Sequence, residues 1–222
     1  MTTKIEKAKL VAEIAVDGVT SIHGVSFDGR SIWFADGSRG GLCAVDPETK
    51  KEVRRLDVEA KAGTAFDGTH LYQVGSKVIR KIDPASGEVV ATIPLPDDDV
   101  SGLAWADGVL YAGAYRGRAI RKLDPKTGKV LGTIRSDRFV TGITWIPGAG
   151  GGEGELWHGT MEGPRGDVDS EIRRVDPRTG EVTARIELPR GLGCAGVEAD
   201  DRGRLWFGDT ATGKLHAAER PR

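Results

Sequence analysis

Three side chains in this sequence have the chemistry of a reactive centre: His23, His158 and Glu198. Two imidazoles and a carboxylate suit a divalent cation such as Zn, Mg, Mn or Ca, with one position left open for water or substrate. The same groups serve equally as general acid and base. Asp36 and Asp209 are carboxylates that would support either role as further ligands. Gln73, Tyr115, Arg116, Phe139 and Glu162 are the polar and aromatic groups available to hold a substrate. Each set has a plainer alternative. His158 would bond a backbone carbonyl, Glu198 would pair with a nearby Arg or Lys, and Asp36 and Asp209 would bond the turns that follow them.

These residues are singled out by a repeat from which they depart. Glycine recurs at Gly24, Gly63, Gly102, Gly142 and Gly196, each opening a short apolar segment, at intervals of 39, 39, 40 and 54 residues. Asp-Pro turns recur at Asp46-Pro47, Asp83-Pro84, Asp124-Pro125 and Asp176-Pro177. Pro presets φ there, and Asp bonds its own backbone. A third signal reads Ile32-Trp33-Phe34, Leu71-Tyr72-Gln73, Leu110-Tyr111-Ala112, Leu156-Trp157-His158 and Leu205-Trp206-Phe207. The residue before each Gly is His23, Ala62, Ser101, Thr141 or Ala195, and two places after it stands Ser26, Ala65, Ala104, Thr144 or Glu198. Small residues there let strands crowd an axis, so His23 and Glu198 are intruders. On the next strand Gln73 and His158 are the polar exceptions.

Four short strands in a period near 40 residues describe a β-propeller blade, and five copies predict an all-β, closed five-bladed β-propeller of four-stranded antiparallel blades. The blades are expected at about 22–58, 62–95, 101–135, 141–188 and 195–219, in one domain spanning 1–222. The last copy stops after its third strand. The missing one is expected at the N-terminus, residues 9–16, where Leu10-Val11-Ala12-Glu13-Ile14 matches Val182-Thr183-Ala184-Arg185-Ile186. That strand would complete the last blade and close the ring. Blades four, five and one are neighbours in such a ring, which predicts that His158, Glu198 and His23 converge at one mouth of the channel. The long fourth interval comes from two insertions, Gly148–Glu155 and Met161–Ser170, the second on the mouth side and bearing Glu162. Long loops on rigid scaffolds often carry function.

Composition narrows the classes. Lys+Arg 32 against Asp+Glu 33 gives a net charge of −1, which argues against nucleic acid as a partner. There is no run of 18 apolar residues and no apolar leader, so neither a membrane span nor secretion is expected, and a cytoplasmic monomer acting on a small molecule is the expectation. Cys43 and Cys194 have no metal-ligand spacing and are read as free thiols. Gly191-Leu192-Gly193-Cys194-Ala195-Gly196 spells a dinucleotide fingerprint but leads into a strand, so no nucleotide cofactor is expected. No serine sits in a nucleophile-elbow motif.

The pattern of Asp-Pro-x-Thr-Gly turns with Leu-Trp strands resembles the YVTN/NHL/SMP-30-like group of propellers, over nearly the whole chain. That resemblance implies the fold and admits lactonases, lyases, cyclases and binding scaffolds. Trp33-Phe34-Ala35-Asp36 and Trp206-Phe207-Gly208-Asp209 are similar to the repeat of streptogramin lyases, which have seven blades. The gluconolactonase-like enzymes hold their metal partly through an Asn, which this chain lacks. Glutaminyl cyclases of the plant and bacterial type match in blade number. The expectation is a lyase or hydrolase, assisted by a divalent metal, with His158, Glu198 and His23 catalytic. The alternatives are a non-catalytic ligand- or protein-binding scaffold and a glutaminyl-cyclase-like cyclotransferase.

Overall fold

The computed structural model describes residues 3–164 and 167–221. Two strands precede the blades, β1 (Lys4–Lys7) and β2 (Leu10–Ala15). Blade one holds β3 (Ile22–Phe27), β4 (Ile32–Asp36), β5 (Leu42–Val45) and β6 (Glu52–Leu56). Blade two holds β7 (Thr64–Phe66), β8 (Leu71–Val74), β9 (Val78–Ile82) and β10 (Val89–Pro94). Blade three holds β11 (Val100–Ala106), β12 (Val109–Ala114), β13 (Ala119–Leu123) and β14 (Val130–Arg135). Blade four holds β15 (Val140–Ile146), β16 (Glu155–Glu162), β17 (Asp169–Val175) and β18 (Val182–Glu187). Blade five holds β19 (Ala195–Ala199), β20 (Arg204–Gly208) and β21 (Lys214–Glu219), with β2 as its outer strand.

The turns form for the reasons their residues suggest. Asp46 Oδ1 accepts the backbone N–H groups of Glu48 and Thr49 at 2.8 and 2.9 Å, and Asp83, Asp124 and Asp176 do the same in their blades. A second aspartate closes the turn between the two inner strands and holds the aromatic residue that follows. Asp28 accepts from Trp33 Nε1 at 2.6 Å, Asp67 from the Tyr72 hydroxyl at 3.0 Å, and Asp200 from Trp206 Nε1 at 2.9 Å. One buried cluster fills each seam between blades; that between blades five and one joins Trp206, Leu215 and Ile14 to Ile22, Phe34 and Val45.

Innermost strands touch in the order β3, β7, β11, β15, β19 and back to β3, so the ring is closed. β2 pairs antiparallel with β21 (Glu13 opposite His216), as the matching segment implied. An element the sequence did not announce is β1, which runs parallel to β18, Lys4 opposite Ala184 to Lys7 opposite Glu187, and gives blade four a fifth strand. The N-terminal segment thus straps two neighbouring blades.

The channel has a waist. A Cβ placed on Gly24 would lie 2.3 Å from the Ala62 carbonyl oxygen, one on Gly63 2.4 Å from the Gly102 carbonyl carbon, and one on Gly142 2.3 Å from that of Gly196. On Gly102 it would meet Gly142 Cα at 2.8 Å, and on Gly196 the Val25 nitrogen at 2.5 Å. Five backbones therefore meet around the axis where no side chain fits. The register shifts at this point in β3, β11, β15 and β19. Such a bulge turns residues on both sides of the glycine toward the bore.

Candidate functional site at the channel mouth

On one side of the waist the residues preceding the glycines, His23, Ala62, Ser101, Thr141 and Ala195, ring a pit of about 140 Å³. Tyr115, Met161 and Thr210 wall it from the surrounding loops. A larger cleft of about 330 Å³ adjoins it, also lined by Met161 and Thr210, and extends over Ser21, Val168, Gly193 and Asp209. The hairpin of β16 and β17, lengthened by the second insertion, forms one bank of this cleft. Arg165 and Gly166 of that insertion lie outside the described residues.

His23 is half-buried at the rim, with Nε2 3.4 Å from the Ser21 hydroxyl. Burial lowers its pKa, and the charge of Asp36 opposes that effect only in part. The imidazole is therefore neutral near pH 7. Tyr115 stacks on Phe139 at 4.7 Å between centroids, and the Arg118 guanidinium covers Phe139 at 4.5 Å. Arg118 also pairs with Glu162 at 3.3 Å. Tyr115 thus reaches the pit, while Phe139 and Glu162 back it from outside. Arg116 is exposed, and its backbone N–H bonds Asp99 Oδ1 at 2.9 Å.

The expected triad does not assemble. His158 is buried between blades three and four, against a small cavity it shares with Ile120, Ile134 and Asp137. Its Nδ1 lies 3.2 Å from the Gly159 carbonyl oxygen, which can only accept, so Nδ1 carries the proton. Burial brings its pKa down to about 4. Glu198 lies beyond the waist from His23. Its carboxyl accepts from the hydroxyls of Thr144 in blade four and, at 3.2 Å, Ser26 in blade one, and from the Ala199 N–H at 2.9 Å. Burial raises its pKa to about 7, against the pull of those hydrogen bonds. The residue is half-buried, yet protein atoms surround its carboxyl. Its partners are hydroxyls and amides where a cation was the alternative.

The other acids are spent on structure. Asp36 is buried and accepts from Ser38, Arg39 and Arg55; burial favours its neutral form, but these bonds outweigh that and hold it well below the usual carboxylate range. Asp209 accepts from the Ala211 N–H at 2.9 Å and the Thr212 hydroxyl at 2.7 Å. Gln73 is buried, accepting from Thr64 and donating to the carbonyls of Ala62 and Val74, so it is not substrate-facing. Among the described residues no group of three or more His, Cys, Asp or Glu side chains is arranged to hold a metal ion. The donor set proposed for Zn, Mg, Mn or Ca is divided among a seam, two turns and both sides of the waist, and does not fit one. The residue that sequence reasoning passed over is Ser21.

No family model matches the chain, and no curated protein sequence matches it. Solved structures do. A glutaminyl cyclase of Myxococcus xanthus superposes with a TM-score of 0.72 at 16% identity, covering 98% of both chains. The WD40 β-propeller domain of Doa1 gives 0.54 at 18% identity, over 89% of this chain and 63% of that one. The chain shares its five-bladed propeller fold, end to end, with that glutaminyl cyclase.

Proposed function

We propose that this propeller is an enzyme that rearranges an acyl group on a small molecule at the mouth, with His23 as its acid–base group. The observation that carries this reading is the ring around the pit. Four of its five equivalent positions hold Ala62, Ser101, Thr141 and Ala195, and the fifth holds an imidazole, the one side chain of the five suited to both accept and return a proton. A neutral imidazole takes a proton from an attacking nucleophile and returns it to the departing one. The likeness to a glutaminyl cyclase over the full chain makes cyclotransfer the reaction to test first. In it a terminal amine attacks the side-chain amide carbon, and ammonia leaves.

The experiment is ammonia release from a short peptide with N-terminal glutamine, followed by mass spectrometry of the peptide. His23→Ala should lower the rate about 10²–10⁴-fold, and Glu198→Ala, beyond the waist, should leave it unchanged. Absence of release by the intact protein, or an unaltered rate in His23→Ala, overturns cyclotransfer at this site. A second reading, a binding module without turnover, is favoured by one feature: among the described residues no carboxylate hydrogen-bonds to His23, and the oxygens of Asp36 are committed to Ser38, Arg39 and Arg55. Saturable binding of the peptide without ammonia release would support it.

A further inference from the structure

The Ser21 hydroxyl and the His23 imidazole touch at the place where two cavities meet. Ser21 lines the cleft, His23 lines the pit, and Met161 and Thr210 line both. We propose that Ser21 and His23 form a nucleophile–base pair that hydrolyses small esters with an apolar acyl group. The inference rests on the reading of His23 as the base of the mouth and adds a covalent step that cyclotransfer does not need.

The segment bearing the pair is anchored at two points. The Gly37 N–H donates to the Ser21 carbonyl at 2.9 Å. The Thr20 N–H donates to the Ser38 hydroxyl at 3.0 Å, which in turn donates to Asp36 Oδ1 at 2.7 Å. Asp36 is thereby a positioning residue, and its charge also favours the imidazolium that forms when His23 accepts a proton. A Cβ on Gly37 would sit 2.3 Å from His23 Nε2 and 3.1 Å from Ser21 Oγ, so the absence of a side chain there is what lets the two groups meet. A separation of 3.4 Å is long for a finished hydrogen bond but ordinary for a pair that tightens around its substrate.

The cavities assign the two halves of the substrate. Met161, Val168, Ala211 and three glycines make the cleft beside Ser21 apolar and open enough for an acyl group. The smaller pit beside His23 receives the alcohol. As Ser21 Oγ bonds to the ester carbon, its proton passes to His23 Nε2. The bond from that carbon to the alcohol oxygen then breaks, and His23 returns the proton to the oxygen. A water, deprotonated by the same imidazole, cleaves the acyl-serine and restores the Ser21 hydroxyl, so that ester and water become acid and alcohol. Thr210, whose hydroxyl makes no hydrogen bond among the described residues, borders both cavities and is the donor placed to meet the oxyanion.

A fluorophosphonate with a short alkyl chain tests the pair without knowledge of the natural ester. Stoichiometric labelling should map to Ser21 by peptide mass spectrometry, vanish in Ser21→Ala, and slow at least a hundredfold in His23→Gln. In Ser21→Cys, iodoacetamide should modify the introduced thiol faster than free cysteine, and only while His23 is present. Melting curves alongside establish that each variant is folded. No label on the folded protein, label at another serine, or equal rates with and without His23 overturns the pair. Ammonia release that is lost in His23→Ala, in a folded protein whose Ser21 takes no fluorophosphonate label, would remove the serine step and leave the acid–base reading standing.

Discussion

At the residue scale, the imidazole of His23 owes its place to a missing atom. Gly37 is exposed and has ordinary backbone torsions, so Ala is tolerable there except for its collision with Nε2. Gly37→Ala should alter stability by less than about 0.5 kcal/mol, yet cut fluorophosphonate labelling and ammonia release together, more than tenfold. Rates within twofold of the parent would show that the imidazole needs no such space. Two other residues have opposite pH signatures. The pKa of Glu198 is raised from 4.5 to about 7, so its stabilising contribution is complete below pH 4.5 and is lost as pH rises to about 7. That of His158 is depressed from 6.5 to about 4, so its contribution is complete above pH 6.5 and is lost as pH falls to about 4. Each shift corresponds to about 3 kcal/mol, and over their shared window the two offset. His23 and His216 add smaller losses of the same sign as His158. Glu198→Gln should therefore become less stable on acidification from pH 7 to 4. His158→Phe, which copies Phe34 and Phe207, should become less stable on going from pH 4.5 to 7. Urea melts at the two ends of the window measure both slopes, and equal slopes in the two variants would contradict the assignments. His23 and Glu198 were legible as departures from the repeat, but the letters cannot say on which side of the waist each lies. Gln73 and His158 looked the same as ligands because a polar residue satisfied by a carbonyl and one facing a substrate are both simply polar in sequence. Ser21 left no trace, since its partner is set by the fold around Gly37.

At the element scale, the strands were readable because Asp-Pro turns and alternating apolar residues carry their own local physics. β1 was not. Its four residues, Lys4–Lys7, are exposed apart from Glu6, and nothing in them alternates apolar and polar; they form a strand only because β18 offers an edge. The two N-terminal strands should consequently differ in importance. β2 buries Ile14 in the seam between blades five and one, whereas Ile5 of β1 stays 56% exposed. Deleting residues 1–7 should leave a cooperative thermal transition with a slightly lower midpoint. Deleting 1–16 should abolish cooperativity or cause aggregation, because it bares the edge of β21 and one wall of that core. A monomeric 1–16 deletion with an unchanged midpoint would refute closure by β2.

At the scale of the whole molecule, the waist is the feature on which the ring depends. Gly142→Ala would drive a methyl into the backbone of Gly196, where no side chain can yield, and should cost about 3 kcal/mol or more. Gly132→Ala, on the outer strand of blade three with nothing within 4 Å, is the control and should be close to neutral. Comparable melting of the two variants would mean that the inner strands are further apart than described. The same waist makes the pit blind, so anything bound beside His23 has to enter and leave by the mouth.

The strap formed by β1 and β2 also bears on biosynthesis. The ribosome makes β2 before any blade, yet its partner β21 is the last strand of the last blade, with Glu13 opposite His216. Throughout elongation the latch is present and its keeper is not. Blades one to four can stack as they emerge, but the seam around Ile14 cannot form until Leu215 and Ala217 have left the exit tunnel. A chain halted before Lys214 is therefore an open arc with an unpaired strand at its front, which proteases and chaperones can distinguish from the finished ring. In this topology the ring closes only once β21 has emerged.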